Sequence, residues 1–137
     1  MSASTASHPL NMATLRVTGT DQHLDELVAR LSLSVSSQVR AGDRRGGAHL
    51  ESHINVAIAD TATPLTMLEQ VRAFVRGCLA HEPGVFGAVS AELALGVSIG
   101  DQVQYACTVV LEPADVRELA ALGIAVSFAA YPSSGDE

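Results

Sequence analysis

The chain has 137 residues, 47% of them hydrophobic but only 4% aromatic, and its formal net charge is −7 with a pI near 5.1. That length fits one domain with a core of its own, and the composition excludes disordered, collagen-like and disulfide-dense classes. The acidic balance argues against nucleic acid, whose phosphates it would repel, and suits either solubility or a basic protein partner.

All eight basic residues are Arg, and the chain contains no Lys and no Trp. Cys78 and Cys107 stand far apart without metal-ligand spacing and read as two free thiols. The N-terminal MSASTASHPLNM has neither the basic region nor the apolar core of a signal peptide. No apolar run reaches the roughly 20 residues that cross a bilayer. A cytoplasmic protein is expected, with residues 1–11 as a tail, one domain over 12–131 and a second tail at 132–137.

Residues 12–18 (MATLRVT) alternate as a strand, with Met12, Thr14 and Arg16 on one side and Ala13, Leu15 and Val17 on the other. Gly19 breaks it, and Thr20 or Asp21 caps a helix whose face is Leu24, Leu27, Val28 and Leu31. Residues 32–37 (SLSVSS) make a short extended piece, and QVRAGDRRGGAH is the most loop-like internal stretch. Residues 49–59 (HLESHINVAIA) form a strand with Leu50, Ile54, Val56 and Ile58 inward.

Thr63 and Pro64 start a second helix, striped by Leu65, Leu68, Val71, Phe74, Val75, Cys78 and Leu79. Pro83 and Gly84 end or bend it, and residues 85–90 form a connector or a further helical turn. Residues 91–99 alternate, with Leu93, Leu95, Val97 and Ile99 on one side, and GDQVQ turns the chain into YACTVVL, a further strand. Pro113 opens a short helix with Val116, Leu119, Ala120 and Leu122 on its stripe, and Gly123 closes it before Ile124, Val126 and Phe128 begin the last strand.

The order is β-α-β-α-β-β-α-β, which predicts an α+β fold: a mostly antiparallel sheet with helices packed on one face. From His49 onward it matches the order of a ferredoxin-like unit. An internal echo accompanies it, since Leu24, Leu27, Leu31, Leu33 and Val35 have nearly the spacing of Val116, Leu119, Leu122, Ile124 and Val126. Both sets are helix-to-strand transitions.

Three stretches, ATLRVTGTDQHLDELVARLSL, QVRAGDRR and LEPADVRELAALGIAVSFAAY, resemble the bacterial family catalogued as domain of unknown function 4279. That family opens with a strand ending in Gly, an acidic helix and a basic Gly-containing loop, and closes with a strand, an LxxLAxLG helix and a strand ending in Tyr. The resemblance covers residues 12–131 and rests on hydrophobic patterning. It implies fold boundaries and brings no activity, cofactor or catalytic residue. Relatives commonly carry a Trp after the glycine loop, where this chain has His53 or Ile54.

Two constellations have chemical potential. His49, Glu51 and His53 share one face of an extended chain, so two imidazoles and a carboxylate could converge on a metal. The same spacing is that of a solvated strand face. The loop AGDRRGG, with Arg40, Arg44 and Arg45 as the positive patch of an acidic chain, could cradle an anion or a partner, although it lacks P-loop spacing. Its ordinary reading is a flexible surface loop. Neither cysteine has a sequence-level partner, and the serines at 32, 34, 36 and 37 sit in no nucleophile elbow. The carboxylate pairs Asp25/Glu26 and Asp115/Glu118 fit solvated helix faces.

No catalytic residue and no cofactor are therefore expected. The leading expectation is a non-catalytic protein-binding module of the immunity or antitoxin type, neutralising a basic toxin without nucleic-acid or membrane contact. The alternatives are an anion- or small-molecule-sensing domain, dimeric through a sheet edge, and, behind it, a metal-dependent enzyme built on His49, Glu51 and His53.

Overall fold

The computed structural model describes residues 8–41, 51–82 and 84–133. Strand β1 (Asn11–Gly19) is the middle of the sheet, and its sequence explains why. The alternation in NMATLRVTG puts Ala13, Leu15 and Val17 at 0% exposure on one face and leaves Met12, Thr14 and Arg16 on the other. Helix α1 (Asp21–Leu31) follows, its N-cap Thr20 accepting a hydrogen bond from the His23 amide. The chain continues through β2 (Val35–Val39), β3 (Ser52–Asp60), α2 (Pro64–His81), β4 (Ser90–Ile99), α3 (Pro113–Leu122) and β5 (Ile124–Pro132).

The five strands form one sheet in the order β2-β3-β1-β4-β5. Three neighbouring pairs are antiparallel and β4 with β5 is parallel, so the sheet is mixed but mostly antiparallel. Because β1 is antiparallel to both β3 and β4, the β3-α2-β4 segment is a split β-α-β unit straddling β1. The β4-α3-β5 crossover then adds the parallel edge strand.

All three helices cover the same face. Leu24 and Leu27 of α1, Met67, Val71, Val75 and Cys78 of α2, and Leu119 and Leu122 of α3 join Leu15, Ile54, Leu93 and Leu95 in one core. Fully burying each large aliphatic side chain stabilises the fold by about 1.5–3 kcal/mol. The expected α+β sheet with helices on one face is what forms.

Four boundaries differ from expectation. Residues 105–111, expected as a strand, run as an irregular segment outside the sheet. Both flanks of β4 are already occupied by β1 and β5, and the segment meets its apolar pattern by packing Cys107 and Val109 against the core. The β-α-β-β-α-β order read from His49 is thus β-α-β-α-β. The extended piece at 32–37 becomes a paired edge strand, β2, so the full order is β-α-β-β-α-β-α-β. A bulge where Ala13 meets Ala59 and Thr14 meets Ala57 shifts the parity of β3, burying Ala59 and leaving Ile58 partly covered. On the helices, Leu65 and Val116 point outward, 63% and 53% exposed, while Met67 and Asp115 turn in.

The irregular segment is held by a buried amide pair. Asn11 Nδ2 donates to Gln104 Oε1 and Gln104 Nε2 donates to Asn11 Oδ1, both at 3.1 Å, and Gln104 Nε2 also reaches the Ser98 carbonyl at 2.7 Å. Above it, α3 is fixed to α2 by Arg72, whose Nε and Nη2 donate to the two Asp115 oxygens at 2.9 and 2.8 Å. Asp115 also accepts the Glu112 amide at 2.8 Å, closing the first turn of α3.

Candidate binding surfaces

The second face of the sheet carries no helix among the described residues. A period of two selects its lining: Met12, Thr14 and Arg16 from β1, Asn55 from β3, Ala94 and Gly96 from β4, and Tyr131 from β5. These residues, with Ser36 and Ser37, line a shallow depression of about 490 Å³. The bulge between Val35 and Ser37 brings both serines to Asn55. Ser36 Oγ donates to the Asn55 carbonyl at 2.8 Å, and Asn55 Nδ2 donates to Ser37 Oγ at 2.8 Å. Asn55 Oδ1 accepts from Arg16 Nε at 3.3 Å.

Arg16 makes no ion pair within the described residues, so the rest of its guanidinium faces the depression as donors. Tyr131 closes the opposite side, its ring lying over Gly96, where a Cβ would approach Tyr131 Cε2 to 3.3 Å. A side chain at this position would push the ring outward by a few tenths of an ångström. The surface offers hydrogen bonds, the Arg16 guanidinium with Glu92 opposite it on β4, and one aromatic rim.

The residues singled out in the sequence are placed elsewhere. Arg40 follows β2 directly and is half-buried, with Nη1 at 3.2 Å from Asp21 Oδ1 and Nη2 at 3.0 Å from Asp25 Oδ1, both on α1. Burial opposes the charge of its guanidinium, yet the hydrogen bonds it donates to Asp21 and Asp25, with the attraction of both carboxylates, outweigh it and raise its pKa. Hydrogen bonds from Ser52 first, and Arg40 second, lower the Asp21 carboxyl below its ordinary value. Ser52 in turn accepts the Ala41 amide, so α1, β2 and β3 meet at one polar junction. Arg44, Arg45 and His49 lie outside the described residues. Glu51 is exposed just before β3, and His53 sits half-buried in β3 opposite Thr18 and Val39. No three His, Cys, Asp or Glu side chains gather into a metal site among the described residues.

Both thiols are shielded rather than activated. Burial pushes the Cys78 thiol up to about 11 and raises that of Cys107 as well. Arg16, Asn55 and Tyr131 were not singled out by motif. Their signal was a charged residue at an outward position in the middle of a strand, which a hydrophobic pattern passes over.

A second surface lies along β5, the outer strand of the sheet. Residues 123–133 contain no charged side chain. Phe128 is 55% exposed and Tyr131 52%. Val97, Cys107, Val109 and Phe128 form an apolar hollow beside them. Among the described residues, no helix is long and apolar enough to cross a membrane. Comparison with protein-family models, curated proteins and solved structures finds no match.

Proposed function

We propose that this chain is a non-catalytic protein-binding module, of the immunity or antitoxin type, that presents the open sheet face to a basic partner. The observation behind this reading is that face: a hydrogen-bonded surface of mostly short side chains, on which the carboxylates Asp60 and Glu92 stand in register with Met12 and Arg16, with one aromatic rim and no reacting pair. Flat polar surfaces suit docking against another protein rather than enclosing a small substrate, which needs a deeper cleft. The net charge of −7 gives such a partner a steered approach. A cytoplasmic location and kinship with the domain of unknown function 4279 family belong to the same proposal, the latter on the three stretches quoted above.

Affinity capture from the native host tests it, run with the wild type, Ala94→Arg on the open face and Glu69→Ala on the helix side. One basic protein retained by wild type and Glu69→Ala and lost by Ala94→Arg is the expected result. Equal retention by all three places the contact elsewhere, and capture of nothing sinks the reading.

A second reading rests on Arg16 alone. Its unengaged donors beside Ser36, Ser37 and Thr14 form an anion-sized polar site. Inorganic phosphate would then raise the melting temperature in a concentration-dependent way in wild type but not in Arg16→Ala.

A further inference from the structure

The β5 edge raises a separate question. Natural sheets guard their outer strands with charge, proline, bulges or a covering element, because unpaired N–H and C=O groups recruit other strands. Strand β2 is short, bulged and bordered by the Arg40 ion pairs. Strand β5 is nine residues long, with no register shift against β4, and its one proline, Pro132, is its last residue, outside the central pairing region. No charged residue lies between Gly123 and Ser133, and no backbone hydrogen bond among the described residues reaches its outer side.

We propose that β5 pairs antiparallel with β5 of a second copy of this chain, joining two five-stranded sheets into one of ten strands. Three observations select a second copy. First, the chain carries −7, so contact between copies requires a region without charge, and the 123–133 edge is such a region. A basic partner would gain nothing from that edge.

Second, the strand is self-complementary about its own midpoint, which is Phe128. A two-fold axis there overlaps the full nine residues. It sets Phe128 against its mate, Val126 against Ala130, Ala125 against Tyr131, Ser127 against Ala129 and Ile124 against Pro132, so that no two large side chains oppose each other between the aromatic centre and the strand ends. Antiparallel edge pairing keeps both helical layers on one side, so the two apolar hollows at Val97, Cys107 and Val109 flank the central Phe128 pair. Third, most of the large hydrophobic side chains exposed in the fold lie on this strand or on the neighbouring segment, namely Phe128, Tyr131, Val110, Tyr105 and Val103. The two open faces would then form one continuous surface, so the dimer is independent of what that face binds.

Sedimentation velocity of the purified chain at micromolar concentration tests the proposal. The expected species has twice the 14.2 kDa chain mass, and Phe128→Glu halves that mass while keeping the circular dichroism of the wild type. A second pair of variants covers the case in which Phe128→Glu does not fold. In a Cys107→Ser background, Ser127→Cys and Ala129→Cys are small changes on the open face, and the proposed register sets each opposite the other in the partner strand. A mixture of the two is expected to form an intermolecular disulfide far faster than either alone. A monomer across the concentration range overturns the proposal. So does a dimer that survives Phe128→Glu, and so does a mixture that cross-links no faster than its components.

Discussion

The two flanks of the sheet repeat one local design with different residues. On each, a helix ends in a left-handed residue and feeds an edge strand: α1 through Ser32 (φ 54°) into β2, and α3 through Gly123 (φ 75°) into β5. Each flank also carries an Arg–Asp contact. On the β2 side Arg40 meets Asp21 and Asp25, whose side chains are 50% and 68% exposed. On the β5 side Arg72 meets Asp115, which is 9% exposed. The same groups at similar distances therefore differ in what they contribute, because water screens one contact and is largely excluded from the other. The β2 flank spends its charge guarding an edge, and the β5 flank places its ion pair inside, leaving its edge bare.

Breaking the inner contact has the largest expected effect. Asp115→Ala leaves Arg72 unpaired and removes the acceptor of the Glu112 amide, and should lower unfolding stability in urea by about 2–3 kcal/mol. The same contact sets a pH dependence. The Arg72 hydrogen bond holds the Asp115 carboxyl below the ordinary value of 3.8, overriding the opposing effect of burial. A depressed carboxylate stabilises the fold fully above its ordinary value and ceases to do so as pH falls through the depressed one. Melting temperatures of wild type and Asp115→Asn should therefore keep a constant gap near neutrality and converge below about pH 4.

The turns give the next contrast. Gly123→Ala forces a Cβ into the left-handed region and should cost about 1–2 kcal/mol. Ser32→Gly relieves the same strain on the opposite flank and should gain roughly 0.5 kcal/mol. Shifts in urea midpoint of opposite sign, the larger at Gly123, would match the design, and a loss at Ser32 would break it. The smallest effect belongs to Asp25→Asn, below about 1 kcal/mol by the same denaturation, since its partner Arg40 keeps Asp21.

This comparison also marks what the sequence made legible. The matched spacing of Leu24 to Val35 and Val116 to Val126 was visible, and it corresponds to these two flanks. All three helices could be located because Thr20, Pro64 and Pro113 mark where they begin and because their stripes repeat at helical spacing. The segment 105–111 has a strand's alternation without being one, because a chain that half-covers Cys107 and Val109 against the core has the pattern of one that pairs in a sheet. Only the topology, with β4 already flanked on both sides, separates the two cases. Gln104 was read as part of a turn, and its partner Asn11 is 93 positions away, beyond any local pattern. The open face was half legible: Met12, Thr14 and Arg16 were assigned to one side of β1, but their convergence with Asn55 and Tyr131 depends on strand order. The basic loop drew attention through composition, which does not reveal that Arg40 is held by two carboxylates on α1.

Tyr131 over Gly96 has an optical consequence. The chain has no Trp and two Tyr, so its near-ultraviolet emission comes from Tyr105 and Tyr131 alone. Tyr131 lines the open face and lies in β5, where the proposed dimer forms. A Tyr105→Phe variant would thus carry a single native fluorophore at the seam between both surfaces, and its emission would register occupancy of either without a label.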